Sequence, residues 1–81
     1  MKKTVFITGG SRGIGACAVK AFAKEGYDGA FTYLNSKEKA EILATGCDIL
    51  AIQADSSISD EVNKAIDLAI SKFGKIDVLI N

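Results

Sequence analysis

Apolar and polar positions follow two alternating periods along this chain. Residues 3–8 hold the unbroken run Val5-Phe6-Ile7, which fits a strand buried on both faces. Over residues 14–25 the small and apolar positions Gly15, Ala18, Val19, Phe22 and Ala23 recur at helical spacing, and Gly26 is placed to end that helix. Residues 29–34 predict a second strand. Ser36 can cap a helix over residues 37–45, which Gly46 stops. Residues 48–54 predict a third strand. Ser59, followed by Asp60 and Glu61, opens a helix in the way that suits its dipole. In that helix Val62, Ala65, Ile66, Ala69, Ile70 and Phe73 stand in i, i+3, i+4, i+7 order before the stop at Gly74. Residues 76–80 predict a fourth strand.

Strands alternating with helices predict parallel pairing, right-handed crossovers and helices on both faces, an open α/β sheet. The run Ile76-Asp77-Val78-Leu79-Ile80 is apolar enough for a central strand, yet only Asn81 follows it. The expectation is a single partial domain over residues 1–81, truncated ahead of whatever covers that strand. Its exposed edge would pair with another copy, so the isolated 81-mer is expected to self-associate or to be unstable.

Composition narrows the function classes. The chain has 81 residues, near the lower limit for an adequate core, and that core must be aliphatic because only 7% of residues are aromatic. Ten basic and ten acidic residues cancel, which gives no reason to expect nucleic acid or an anionic membrane surface. No apolar run approaches a membrane span, and Met1-Lys2-Lys3 leads into a short strand rather than a secretory core. A cytoplasmic location is the default. The absence of histidine removes both a metal-ligand spacing and a Ser-His-Asp arrangement, and two cysteines are too few for a disulfide framework. Cys17 reads as a small buried side chain of the first helix, and Cys47 as a loop or strand-edge residue.

The chemistry concentrates in Thr8-Gly9-Gly10-Ser11-Arg12-Gly13-Ile14-Gly15, directly behind the first strand. A strand-to-helix turn gathers unpaired backbone N–H groups and the positive end of a helix, and glycines there let a pyrophosphate approach without a Cβ in the way. The spacing is G-x-x-x-G-x-G rather than G-x-G-x-x-G. A phosphate loop of the ATPase kind is excluded, because Ala16-Cys17 follows Gly15 where Lys-Ser/Thr would be needed.

This octapeptide resembles the signature of the short-chain dehydrogenase/reductase family. Ala54-Asp55-Ser56 after the third strand is similar to the family's aspartate beside adenine, and Val78-Leu79-Ile80-Asn81 is similar to the lead-in to its N-N-A-G motif. The resemblance spans all 81 residues, about the amino-terminal third of a family member. It implies the amino-terminal half of a Rossmann doubly wound parallel sheet, with four strands, three helices and strand order 3-2-1-4. Residues 37–46 depart from the pattern, being about one helical turn shorter than the second helix in most relatives. Among the family's branches the loop and the segment over residues 33–40 most resemble 3-oxoacyl-acyl-carrier-protein reductases, enzymes of fatty acid biosynthesis.

The resemblance implies a nicotinamide cofactor, with Gly9, Ser11, Arg12, Gly13, Ile14 and Gly15 on the pyrophosphate and adjacent ribose. It implies Tyr33, Asn35 and Ser36 along the adenosine ribose, Asp55 and Ser56 at adenine, and Asn81 at the nicotinamide-side ribose. Where NAD users carry an acid after the second strand, this chain has Tyr33, and no carboxylate appears before Glu38. Arg12 and Lys37 supply positive charge, with Asn35 and Ser36 as neutral donors, so NADP(H) is expected rather than NAD(H). Alternatives stay open: Arg12 as a solvated charge, Ser36 as a helix cap, Asp55 as a cap on the following loop. The family's chemistry is hydride transfer to a carbonyl with a tyrosine proton donor and a lysine. Tyr33 and Lys37 have that pair's Y-x-x-x-K spacing but sit at a strand end and a helix start, so no catalytic residue is expected among these 81. The resemblance also implies a homo-oligomer. The rival reading is a non-catalytic module that binds a nucleotide or a protein.

Overall fold

The computed structural model describes residues 2–9 and 13–80. It contains β1 (Thr4–Ile7), α1 (Gly13–Lys24), β2 (Asp28–Tyr33), α2 (Lys37–Ala44), β3 (Ile49–Gln53), α3 (Ser59–Phe73) and β4 (Val78–Ile80). All strands pair in parallel, in the order β3-β2-β1-β4, as expected. Each element ends within about two residues of its expected bounds, which is the usual uncertainty where helices and strands fray.

Two aliphatic cores form because strand side chains alternate between faces. Val5, Ile7, Phe31, Tyr33 and Ile49 face one side and meet Val19 of α1 and Ala40 of α2. Phe6 and Ala30 face the other, against Ala65 and Ala69 of α3. So α1 and α2 cover one face and α3 the opposite one. The crossover direction reverses between β1 and β4, the kind of point beyond which open α/β sheets bind their ligands, at the carboxyl ends of the strands. β4 lies at an edge of the described sheet, with Leu79 56% exposed.

Three local expectations are corrected. Ser59 does not cap α3: Ile58 holds that position with no side-chain cap bond, and Ser59 is already helical. The Glu61 carboxylate instead reaches back to accept the Asp55 amide at 2.9 Å. Ser36 does occupy the N-cap position of α2, but its hydroxyl makes no cap bond. Cys17 is exposed rather than buried. It precedes the buried Val19 by two residues, which is about 200° around the helix and therefore on the opposite face.

The amino ends of the strands are tied by ions. Thr4 donates its hydroxyl to Asp28 at 2.6 Å, and Lys2 pairs with Asp48. Asp77 accepts the Lys75 ammonium at 2.5 Å and the Thr4 amide at 2.8 Å, and these bonds hold its carboxyl below the usual range. The folded value lies below the unfolded one, so ionised Asp77 stabilises the fold above about pH 4, and that contribution fades as pH falls through the lowered value. The urea midpoint should therefore drop on acidification below about pH 4, and Asp77→Asn should flatten part of that drop. Identical acid profiles for the two proteins would refute this role.

Candidate functional site

The carboxyl ends of the strands bring the motif residues to one rim. Across it run Asp55 and Ser56 after β3, then Tyr33, Asn35 and Ser36 at and after β2, then Gly9 after β1, and finally β4. Gly13, Ile14 and Gly15 form the start of α1 above this rim. Ser11, Arg12 and Asn81, three further expected site residues, lie outside the described residues.

Where β1 leaves the sheet, the chain is held from both sides. The Thr8 amide donates to the Ile80 carbonyl of β4 at 2.9 Å, and the Gly9 amide donates to the Thr32 hydroxyl of β2 at 2.9 Å. Gly9 and Gly13 both have positive φ, +68° and +64°, a region that side chains with a Cβ adopt only under strain. Among the described residues, a Cβ built at either would meet nothing within 4 Å. Both glycines therefore border open space among the described residues, and Gly13 begins α1, whose first-turn N–H groups point out of the helix end. That space fits an anionic bridge with close backbone contact. Ile14 stands 90% exposed beside it.

On the β2 side the picture is mixed. Tyr33 is only 8% exposed and belongs to the core beneath α1 and α2, so it packs the sheet rather than lining an open surface. Asn35, Ser36, Lys37, Glu38 and Lys39 line a shallow open hollow just beyond it. Asp55 does brace its own loop. Its Oδ1 accepts the Ser57 hydroxyl at 2.6 Å and the Ser57 amide at 2.9 Å, and these bonds lower its pKa. The sequence reading missed Ser57 and Thr32. An Asp-x-Ser spacing is a recognisable turn signal for the first. No local signal marks the second, because its contact is with Gly9 on another strand's loop.

A second open hollow lies at the amino ends of the strands, lined by Lys2, Lys3, Phe22, Glu25 and Tyr27 among others. Its Lys2 is engaged by Asp48, and Phe22 and Tyr27 pack edge to face at 4.7 Å. It is also at the wrong end: open α/β sheets bind ligands beyond the carboxyl ends of their strands. Among the described residues no helix is long and apolar enough to cross a membrane, and no group of His, Cys, Asp and Glu could hold a metal ion.

The strand order, the reversal of crossovers between β1 and β4 and the glycine turn at that reversal define a Rossmann-type half-sheet. The short chain dehydrogenase family profile matches residues 3–81, so the chain belongs to the short-chain dehydrogenase family. It is 46% identical, over its whole length, to the 3-oxoacyl-[acyl-carrier-protein] reductase FabG of Staphylococcus aureus. That alignment takes 86 positions against 81 residues here, so the relative carries extra residues within the matched span. The short-chain dehydrogenase/reductase of Serratia marcescens superposes on 98% of the chain with a TM-score of 0.92 and 45% identity. A blue fluorescent protein from a metagenomic library, solved in complex with NADPH, superposes on 95% with a TM-score of 0.87 and 45% identity. The chain spans 35% of the Staphylococcus aureus reductase, and 35% and 34% of the two solved chains.

Proposed function

We propose that residues 1–81 form the NADP(H)-binding part of a short-chain oxidoreductase that reduces a carbonyl by hydride transfer, with a 3-oxoacyl thioester as the substrate class. The observation that carries this reading is the pair of positive-φ glycines, Gly9 and Gly13, bordering open space at the head of α1. Family membership and the NADPH complex of a 45%-identical neighbour support the cofactor. The 46%-identical reductase supports the substrate class.

The cofactor, when bound, supplies the hydride. The protein's part here is to bind and orient it. Amides of Gly13, Ile14 and Gly15, with Ser11 and Arg12, hold the pyrophosphate and the adjoining ribose, while Gly9 gives the turn its shape. Asn35 and Ser36 face the adenosine ribose, with Tyr33 supporting them from the core. Asp55 and Ser56 border the adenine, and Asn81 reaches the nicotinamide-side ribose. No residue among these is assigned acid–base work: Tyr33 is buried beside α2, and Lys37 opens that helix. The chain by itself is therefore expected to bind coenzyme without turning over substrate. In the cell the reading places it in the cytoplasm, within a homo-oligomer.

Ser36 has no cap bond to satisfy, and Lys37 is exposed beside it, so both are free to meet a 2′-phosphate. Titration calorimetry should give tighter binding of NADPH than of NADH. Lys37→Ala should weaken NADPH about tenfold, the size of one charge-assisted contact, and leave NADH nearly unchanged. Equal dissociation constants for the two coenzymes, or tighter NADH, would overturn the preference.

A further inference from the structure

Among the described residues, Thr32 is the one side chain of the sheet that bonds to the glycine turn. It is completely buried, near the carboxyl end of β2, one position beyond the last β1–β2 pair, Ile7 with Phe31. Its own backbone lies in register with Ile52 of β3. Its hydroxyl accepts the Gly9 amide, and on the other side Thr8 is bonded to Ile80. The chain leaving β1 is thus fastened on both flanks within two residues, just before it must turn with positive φ.

We propose that Thr32 is a positioning residue for coenzyme binding, an inference that rests on the reading given under Proposed function. Its hydroxyl takes the Gly9 N–H out of the set of free donors and fixes the direction in which the turn leaves the sheet. The donors of the first turn of α1 are thereby presented at a set height above the rim. Preorganisation of this kind raises affinity by removing an ordering cost that the ligand would otherwise bear. The contact adds to the fold no more than one part-buried hydrogen bond. Gly9 is exposed as a residue, but its amide points at a completely buried hydroxyl, so valine leaves that N–H without an acceptor while keeping the branched shape that suits a strand.

Those two consequences separate positioning from packing. In the 81-residue chain, Thr32→Val should melt about 4–8 °C below the unaltered protein, stay folded at 25 °C and bind NADPH there about tenfold more weakly, the loss expected for one fixed hydrogen bond. Thr32→Ser retains the acceptor and should bind within about twofold of the unaltered chain. Without coenzyme, hydrogen exchange of the Gly9 amide should be slow in the unaltered and serine chains and fast in the valine chain. Undiminished affinity in Thr32→Val, or equal losses in the valine and serine variants, would overturn the proposal. So would a Gly9 amide that already exchanges at the open-loop rate in the unaltered chain, a result that does not depend on any variant folding. Failure of the unaltered chain to bind NADPH would instead count against the coenzyme reading and withdraw the positioning role with it, while slow Gly9 exchange would show the contact intact.

Discussion

Gly29→Ala is expected to abolish the folded sheet. Gly29 has φ of +142° and stands opposite Val5 in the β1–β2 ladder. An added Cβ would lie 1.9 Å from the Val5 carbonyl oxygen and 2.8 Å from both the Val5 carbonyl carbon and amide nitrogen. All three are backbone atoms, so no side chain can swing aside. Gly29 is also pinned from the other flank, where its amide donates to Asp48 at 3.2 Å. Relief therefore means separating β1 from β2, the strands that carry Val5, Ile7 and Phe31 into the core. A cost of about 4 kcal/mol or more belongs to this class of change. A chain of 81 residues has a total stability on the order of 4–12 kcal/mol, so the loss takes up much or all of it. Circular dichroism should show a largely unfolded variant at 25 °C, and an unaltered urea midpoint would disprove the close approach.

Gly13→Val is expected to do the reverse, leaving the fold largely standing while coenzyme affinity falls by about a hundredfold or more, about 2.7 kcal/mol. Its added Cβ meets no atom of the described residues within 4 Å, so nothing in the sheet is pushed apart. The positive φ of +64° still costs a branched residue roughly 1–2 kcal/mol, which should appear as a moderate drop in melting temperature. The larger effect comes from what the side chain occupies, the space before the first turn of α1 where the proposed function puts the diphosphate. Gly13→Ala should fall between the two. Fluorescence titration with NADPH, alongside thermal melts, separates the terms; matched affinities for glycine and valine would remove the diphosphate from this turn.

Much of the architecture could be read without coordinates, because it depends on local periodicity. Val62 to Phe73 at helical spacing, the apolar run after Lys3 and the glycine stops at 26 and 74 are properties of a short window, and the elements stand where those patterns put them. The order β3-β2-β1-β4 came from the family resemblance of the glycine octapeptide. What stayed hidden depends on contacts between distant segments. Nothing around Gly29 announces the Val5 carbonyl, and nothing around Thr32 announces Gly9. The capping of α3 was misread for a related reason. Ser59 has the right chemistry for a cap, but Glu61 and the Asp55–Ser57 turn order that loop, and the helix begins at Ser59 itself. Tyr33 carries a packing role that its sequence context does not announce: it is 8% exposed and joins the core beneath α1 and α2.

Binding of the dinucleotide at the carboxyl ends of the strands is tested most directly by amide chemical-shift mapping of the 81-residue chain with NADPH. The shifts should concentrate at Gly9, Gly13, Ile14 and Gly15, with weaker ones at Asn35, Ser36, Asp55 and Ser56. Shifts gathered instead around Lys3, Phe22 and Tyr27 at the opposite end, or no shifts at saturating coenzyme, would contradict it.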